Sequence, residues 1–481
     1  MNTTIQFQNA KSFSGPKGYP IIGVIPKIRG NLLHFITQMW LEYGDCLRLD
    51  MPSFEMHLVI HPDDVKHVLQ MNNRNYEKGY NKGDLALLVG NGLVSSEGAF
   101  WRRQRRLIQP LFNRRRLRYY APAMISSTAE MFAKWDARPE QTRPLDIAAE
   151  MMRVTQRVIT RTMFSKDMSE QTDLMYKAFT DAMDGLDSKM TQPNFMSKWP
   201  TPGNRRFEKA IKTINETMYK LIAERRASDA RDNQEKDLLS LLLNARDEES
   251  GTGMSDQQIR DEITTIFLAG HETTATALSW TWYLLSRHPV VGKKVVAEVD
   301  HVLRGRTPRV QDLGELTYTR QVFDESLRLY PPAWLFNRVA LQDDVLPSGY
   351  RIPKGSNIAF SPYLTHRHPD FWHNPEGFQP ERFTKEASKS RHRYAYIPFG
   401  GGPRLCVGNN FALMEGPLII AMIAQRYNLT LVPGSNVQIN PRTTLRSLDG
   451  IPMLVTPRTD APPLVAEKTP TAENECPYHH R

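Results

Sequence analysis

Phe399-Gly400-Gly401-Gly402-Pro403-Arg404-Leu405-Cys406-Val407-Gly408 sets one cysteine in a glycine-rich loop, and the reading of the whole chain starts from what such a loop can hold. Glycines 400 to 402 leave backbone N–H groups free to approach a sulfur atom closely. The amphipathic run from Asn409 to Tyr427 predicts a helix that begins just after Cys406. Amide dipoles at a helix N-terminus favour an anion and lower a thiol's pKa. The loop therefore suits a buried, charged sulfur better than an inert buried thiol.

The spacing F-x-x-G-x-R-x-C-x-G resembles the haem-binding signature of the cytochrome P-450 superfamily and matches it at every fixed position. The resemblance implies that Cys406 is the axial ligand of the iron of a haem b. It implies that Arg404 points at a haem propionate, that Phe399 shields the sulfur from water, and that Gly408, having no side chain, lets the new helix come close to the porphyrin. The fold it implies is mainly α with small β-sheets, one large haem domain of the cytochrome P-450 type.

Three further stretches follow the order of that family. Glu325 and Arg328, three apart, share one helical face and can pair. Pro331-Pro332 ends their helix, and Pro375-Glu376-Gly377-Phe378-Gln379-Pro380-Glu381-Arg382-Phe383 resembles the family's P-x-x-F-x-P-x-R-F. There Arg382 joins the Glu325–Arg328 pair in a structural lock behind the haem. Ser255 with Gln258 makes a capping-box start to a helical pattern that runs to Arg287-His288 before Pro289. Near its middle, Ala269-Gly270-His271-Glu272-Thr273-Thr274 resembles the family's A-G-x-E/D-T-T, whose acid and alcohol, here Glu272 and Thr273, manage the protons of oxygen chemistry. A mid-helix glycine costs about 1 kcal/mol against alanine, so Gly270 is expected to give a flat cofactor close approach. A helical threonine ordinarily bonds back to the carbonyl four residues earlier, here that of Ala269; a groove for dioxygen requires Thr273 to turn elsewhere.

Haem propionates need cations inside an apolar fold. Trp101 and Arg105, at i and i+4 on a predicted helix, resemble the family's W-x-x-x-R donors, and Arg338 corresponds to another, so that with Arg404 four donors are spread along the chain.

A length of 481 residues suggests several domains, but the resemblance runs without a linker, so one haem domain is expected over 15–456, with a flexible tail at 1–14 and a disordered one at 457–481. Arg225 to Glu235 reads as an exposed inter-helix loop. Met1 to Ser14 has no apolar h-region, and the long apolar stretch Ile263 to Leu285 belongs to the oxygen helix, so a soluble cytoplasmic protein without a membrane anchor is expected. Three cysteines, Cys46, Cys406 and Cys476, give no disulfide framework. The two left after Cys406 cannot hold a ferredoxin-type cluster, which needs four thiolates, and no G-x-G-x-x-G fingerprint is present. Electrons are therefore expected from a separate ferredoxin or flavodoxin with its NAD(P)H-dependent reductase.

A formal charge of +10 and arginines 102, 103, 105, 106, 114, 115, 116 and 118 raise nucleic-acid binding. The segment corresponds instead to the family's proximal helix, where an acidic electron carrier docks, and steering of such a partner uses the same charges. No nucleic acid is expected. His271 is expected to point away from the haem, and Cys476, His479 and His480 in the tail are not read as a metal site.

Segments that match the family's pocket-forming regions are apolar: Leu85, Leu87, Leu88 and Val89; Met190, Phe195, Met196 and Trp199 in a lid; Phe267 and Ala269; Trp334 and Leu335; Leu448. Such a lining suits a lipophilic molecule, a fatty acid, terpenoid or carotenoid by resemblance. The expected activity is insertion of one atom of O2 into a C–H or C=C bond. A peroxide-driven hydroxylase or a haem-thiolate isomerase is the alternative, which can dispense with the Glu272–Thr273 pair. A non-catalytic haem sensor, needing neither pair nor pocket, comes third.

Overall fold

In the computed structural model, residues 10–463 are described apart from Arg29, Ser53, 80–83, 139–142, 166–168, 192–198 and 230–236. Seven helices build the site: α1 (Gly98–Ile108), α2 (Ile147–Phe164), α3 (Ser169–Thr191), α4 (Pro202–Asp229), α5 (Asp256–Arg287), α6 (Thr317–Leu329) and α7 (Asn409–Arg426), with shorter helices between them. α5 starts at the predicted capping box, with Ser255 accepting from the Gln258 N–H and Gln258 accepting from the Ser255 N–H. It is buried on nearly every side although it carries charged and polar residues, among them Arg260, Asp261, Glu262, His271 and Glu272, so these need partners inside the fold. One core packs α1, α3, α4 and the first half of α5; a second joins the later half of α5 to α6 and α7.

The principal sheet has five strands, β1 (Cys46–Asp50), β2 (Glu55–Val59), β3 (Tyr76–Glu77), β4 (Phe336–Ala340) and β5 (Asn357–Phe360), in the order β1-β2-β5-β4-β3. β2 and β5 run parallel and the other pairs antiparallel. Pairing of Glu77 with Val339 sets Lys78, the next residue, beside Arg338. β6 (Ile439–Pro441) and β7 (Leu445–Ser447) form a separate antiparallel hairpin with Asn440 opposite Arg446.

Three expectations about chain ends and loops change. Residues 11–14, expected in a flexible tail, pair with the body: Lys11 bridges Tyr350, Ser14 bridges Leu47, and Phe13 is buried against His57 and Tyr350. The expected C-terminal tail starts later than 457, because Arg458 is buried and held by Asp300 at 2.8 Å and by the Ala424 carbonyl; 464–481, with Cys476, His479 and His480, lie outside the described residues. Arg225 is not in an exposed loop. It lies within α4 as a buried cation, with Nη1 2.5 Å from Asp237 and Nη2 donating to the Phe164 carbonyl, and 230–235 of the expected loop lie outside the described residues.

Candidate active site

The loop before α7 bends by virtue of its glycines. Gly400 and Gly402 have φ of +72° and +64°, and a Cβ on Gly402 would lie 1.7 Å from the Leu69 carbonyl oxygen. The loop is closed by the Cys406 N–H donating to the Phe399 carbonyl at 3.0 Å. The N–H that reaches the sulfur belongs to Gly408, not to residues 400–402 as the spacing predicts. Burial pushes the Cys406 thiol up, while that N–H, Arg105 and Lys78 pull it down. Deep as it is, Cys406 keeps accessible surface, so its side chain faces interior space.

A cluster of cations lies on one side of this space. Arg105 Nη1 donates to the Leu405 carbonyl at 2.8 Å, Arg338 is buried on β4, and Arg404 lies 3.7 Å over the Trp101 ring while donating to the Ser96 carbonyl and pairing with Glu97. The fourth member, Lys78, carries no sequence signal, being one lysine in a chain with 62 basic residues. Burial first, then Arg404 and Arg338, push its ammonium down to about 7. Burial and its cationic neighbours likewise lower Arg404 to about 10. Four buried or half-buried cations around Glu97 form a site short of negative charge, which two haem propionates would supply. The residues present therefore fit the group that the Cys406 loop implies.

The other candidate residues lie on α5. Ala269 is exposed and Thr273 half-exposed in the middle of this otherwise buried helix, the open strip a flat group can cover. Gly270 has a packing reason that the motif does not carry. A Cβ there would lie 3.0 Å from Ile159 Cδ1, so the glycine admits α2 against α5. Thr273 Oγ1 donates to the Ala269 carbonyl at 2.7 Å, the ordinary back-bond. His271 points away from the strip, with Nδ1 on the Phe267 carbonyl at 2.7 Å, its ring against Phe179 and Phe267, and its pKa lowered by burial. Glu272 is buried and bound: Thr444 Oγ1 donates to its Oε1 at 2.6 Å and Arg446 Nε at 2.9 Å. Neither partner was legible from the motif, since both lie more than 170 residues away on the β6–β7 hairpin.

Glu325, Arg328 and Arg382 come together, with Arg328 Nε 2.7 Å from Glu325 and Arg382 Nε 3.4 Å from it. The pocket residues divide. Leu88, Val89 and Phe267 are sealed in the core, Phe267 stacking on Phe179 at 4.5 Å, while Trp334 is buried with its indole N–H on the Arg442 carbonyl. Leu85 and Leu335 are half-buried, Leu448 and Leu87 are exposed, and so is Trp199. The side chain of Met190, and Phe195 and Met196 altogether, fall outside what is described. Among the described residues no helix is long and apolar enough to cross a membrane. The basic segment is partly neutralised, as Arg103 and Arg106 both pair with Asp247; Arg102, Arg115 and Arg118 stay exposed.

A family model described as Cytochrome P450 matches residues 13–455. Cyclooctatin synthase of Streptomyces melanosporofaciens is 38% identical over 433 residues, 89% of this chain and 92% of its own length. Cyclooctat-9-en-7-ol 5-monooxygenase of the same organism is 37% identical over 88% of this chain and 91% of its own length. The crystal structure of the cytochrome P450DA heme domain superposes with a TM-score of 0.85 at 29% identity, covering 93% of this chain and 98% of that one.

Proposed function

The chain belongs to the cytochrome P450 family and is a haem-thiolate monooxygenase, and from that premise we propose that its substrate is an uncharged terpenoid, an olefin or olefinic alcohol, oxidised at a C–H or C=C bond. The observation that carries the choice is the near full-length likeness to an enzyme named for cyclooctat-9-en-7-ol, an olefinic alcohol. The chemistry of the walls supports it. Ala269, Leu85 and Leu335 offer apolar surface, and Glu272, the carboxylate next to Thr273 on α5, already has its cation. A fatty-acid carboxylate desolvated against such walls would need a cation of its own.

Cys406 is proposed as the thiolate ligand of a haem b, with Trp101, Arg105, Arg338 and Arg404 holding the propionates and Lys78 beside them. When bound, the haem supplies redox activation of dioxygen, with a thiolate's electron donation favouring O–O cleavage. The protein's own part is proton control. Thr273 must release the Ala269 carbonyl before its hydroxyl can donate toward dioxygen, and Glu272, next in sequence, must exchange protons with water. Electrons are proposed to come in the cytoplasm from a ferredoxin or flavodoxin and its NAD(P)H-dependent reductase, an acidic carrier being steered by Arg102, Arg115 and Arg118.

Titrating the enzyme with cyclic terpene olefins, terpene alcohols, fatty acids and carotenoids reads substrate seating in the Soret band. Reconstitution with surrogate ferredoxin and reductase under 18O2, beside a peroxide-only reaction, then reads product by mass. A terpene product carrying one 18O atom is expected. Turnover of fatty acids alone would overturn the class, and product with peroxide but none with the surrogate ferredoxin and reductase would overturn the electron supply.

A further inference from the structure

Glu272 is held by an arrangement that reaches well beyond α5. Thr444 Oγ1, Arg446 Nε and Arg446 Nη2 all approach its Oε1, at 2.6, 2.9 and 2.6 Å. The hairpin that carries these donors is itself tied to α3. Asp187 Oδ1 accepts from the Thr443 hydroxyl at 2.6 Å and the Thr443 N–H at 3.2 Å, and Arg442 Nη1 lies 3.6 Å from Asp187 Oδ2. Four side chains within residues 442–446, those of Arg442, Thr443, Thr444 and Arg446, thus connect a carboxylate of α3 to the carboxylate of α5. Arg446 has a second face. It lines a cleft of about 180 Å3 together with Ala275, Thr276, Ser279, Ser447 and Asp146, while Glu272 does not. The Arg446 side chain is 27% exposed and that of Glu272 3%, so Arg446 stands between the acid and the cleft.

We propose that residues 442–446 form a latch by which the seating of α3 controls proton exchange between Glu272 and water in this cleft, with Arg446 as the positioning residue. With Asp187 engaged, three donors saturate one oxygen of Glu272 and the guanidinium bars water. When α3 moves and Asp187 lets go, Thr443 loses both of its bonds to α3, the hairpin loosens, and Arg446 turns into the cleft. Glu272 can then pass a proton toward the oxygen site and regain one from cleft water, with no net change at the carboxylate. The latch rests on the proposed role of Glu272 as proton relay, and it adds a reason why a substrate that moves α3 would start proton delivery.

Asp187→Ala removes the acceptor at the α3 end without touching the relay. In the haem-loaded, substrate-free enzyme, hydrogen–deuterium exchange of the 438–448 amides should rise several-fold, and oxygen consumption with reductase but no substrate should rise at least three-fold. Arg446→Gln should give the same rise in oxygen consumption, and Arg446→Lys, which keeps a cation, should return most of it to the wild-type value. Unchanged exchange or unchanged substrate-free oxygen consumption in Asp187→Ala overturns the latch. Glu272→Gln separates the two ideas. If it slows oxygen consumption while Asp187→Ala does nothing, the relay stands and the latch falls; if it changes nothing, the relay falls, and amide exchange in Asp187→Ala still decides whether α3 holds the hairpin.

Discussion

Two groups of buried charge, the Glu325–Arg328–Arg382 lock and the cation cluster beside the Cys406 loop, differ in completeness. At the lock, all five N–H groups of Arg328 have acceptors: both oxygens of Glu325 and the carbonyls of His366, Pro375 and Gly377, at 2.6 to 3.0 Å. Glu325 takes a further bond from the Gln379 N–H at 2.9 Å. At the cation cluster, Lys78 has three N–H groups and, among the described residues, one acceptor, the Val94 carbonyl at 3.0 Å. A buried ionic group that closes on itself is scaffold. One that stays short of counter-charge is waiting for a ligand, because burial without a partner is the costly state.

The sharpest way to break the comparison is to remove the reason for the cluster. Cys406→His should abolish the strongly red-shifted Soret band of the ferrous carbon monoxide complex and all monooxygenase activity. A variant that kept both would move the ligand elsewhere and leave the cations without explanation.

Next come the two clusters themselves. Arg328→Ala strands Glu325 in a fully buried site with Arg382 3.4 Å away as its remaining cation, and removing one partner of a buried pair costs about 3–5 kcal/mol. The variant should lose stability in denaturant titration with or without haem. Lys78→Met should do the opposite to the apoprotein, relieving repulsion with Arg404 and Arg338 and leaving it as stable or more so, while haem binds more weakly. Equal destabilisation of apoprotein by both substitutions would erase the distinction.

The open strip of α5 gives a subtler contrast. Thr273 is back-bonded to Ala269 in the resting geometry, so Thr273→Ala costs the helix little. It should keep haem content and substrate affinity but divert electrons to hydrogen peroxide, with product per reducing equivalent falling several-fold while oxygen uptake continues. Full coupling in the variant would leave Thr273 as an ordinary helical threonine.

What the sequence made legible follows this divide. The Cys406 loop, the Glu325–Arg328 pair and the capping box of α5 are local, carried by residues within about ten positions of one another; the pair and the box form as their spacing predicts, while in the loop Gly408 and not residues 400–402 supplies the N–H on the sulfur. The partners of Glu272 and the place of Lys78 depend on strand pairings across more than 170 residues, which no single motif contains. Gly270 shows the same limit from the other side: the motif offers a functional reason for the glycine, and the structure adds one the motif does not contain, Ile159 packing from another helix. Burial was hardest to foresee, and Trp334, read as pocket lining, is closed off because its indole N–H reaches the Arg442 carbonyl.

The smallest expected effect tests the same rule within α5. Glu262 is buried as completely as Glu325, but its donors are neutral, the Leu93 N–H at 2.9 Å and Gln104 Nε2 at 3.2 Å. Burial, with the like charge of Asp261, pushes its carboxyl up to about 8 from an ordinary 4.5. Between those two values the folded chain holds a proton that the unfolded chain has released, so stability from this group is complete below about pH 4.5 and drains away as the pH rises through 8. The slope approaches 1.4 kcal/mol per pH unit across that window. Glu262→Gln keeps the shape and removes the titration, and Gln104 Oε1, which lacks a protein partner, can accept the new amide after a flip of its own. The variant should therefore match wild type in urea at pH 5 and exceed it by roughly 1–3 kcal/mol at pH 7.5. Parallel stability curves for the two proteins from pH 5 to 8 would show that Glu262 has a counter-charge after all and belongs with the closed cluster.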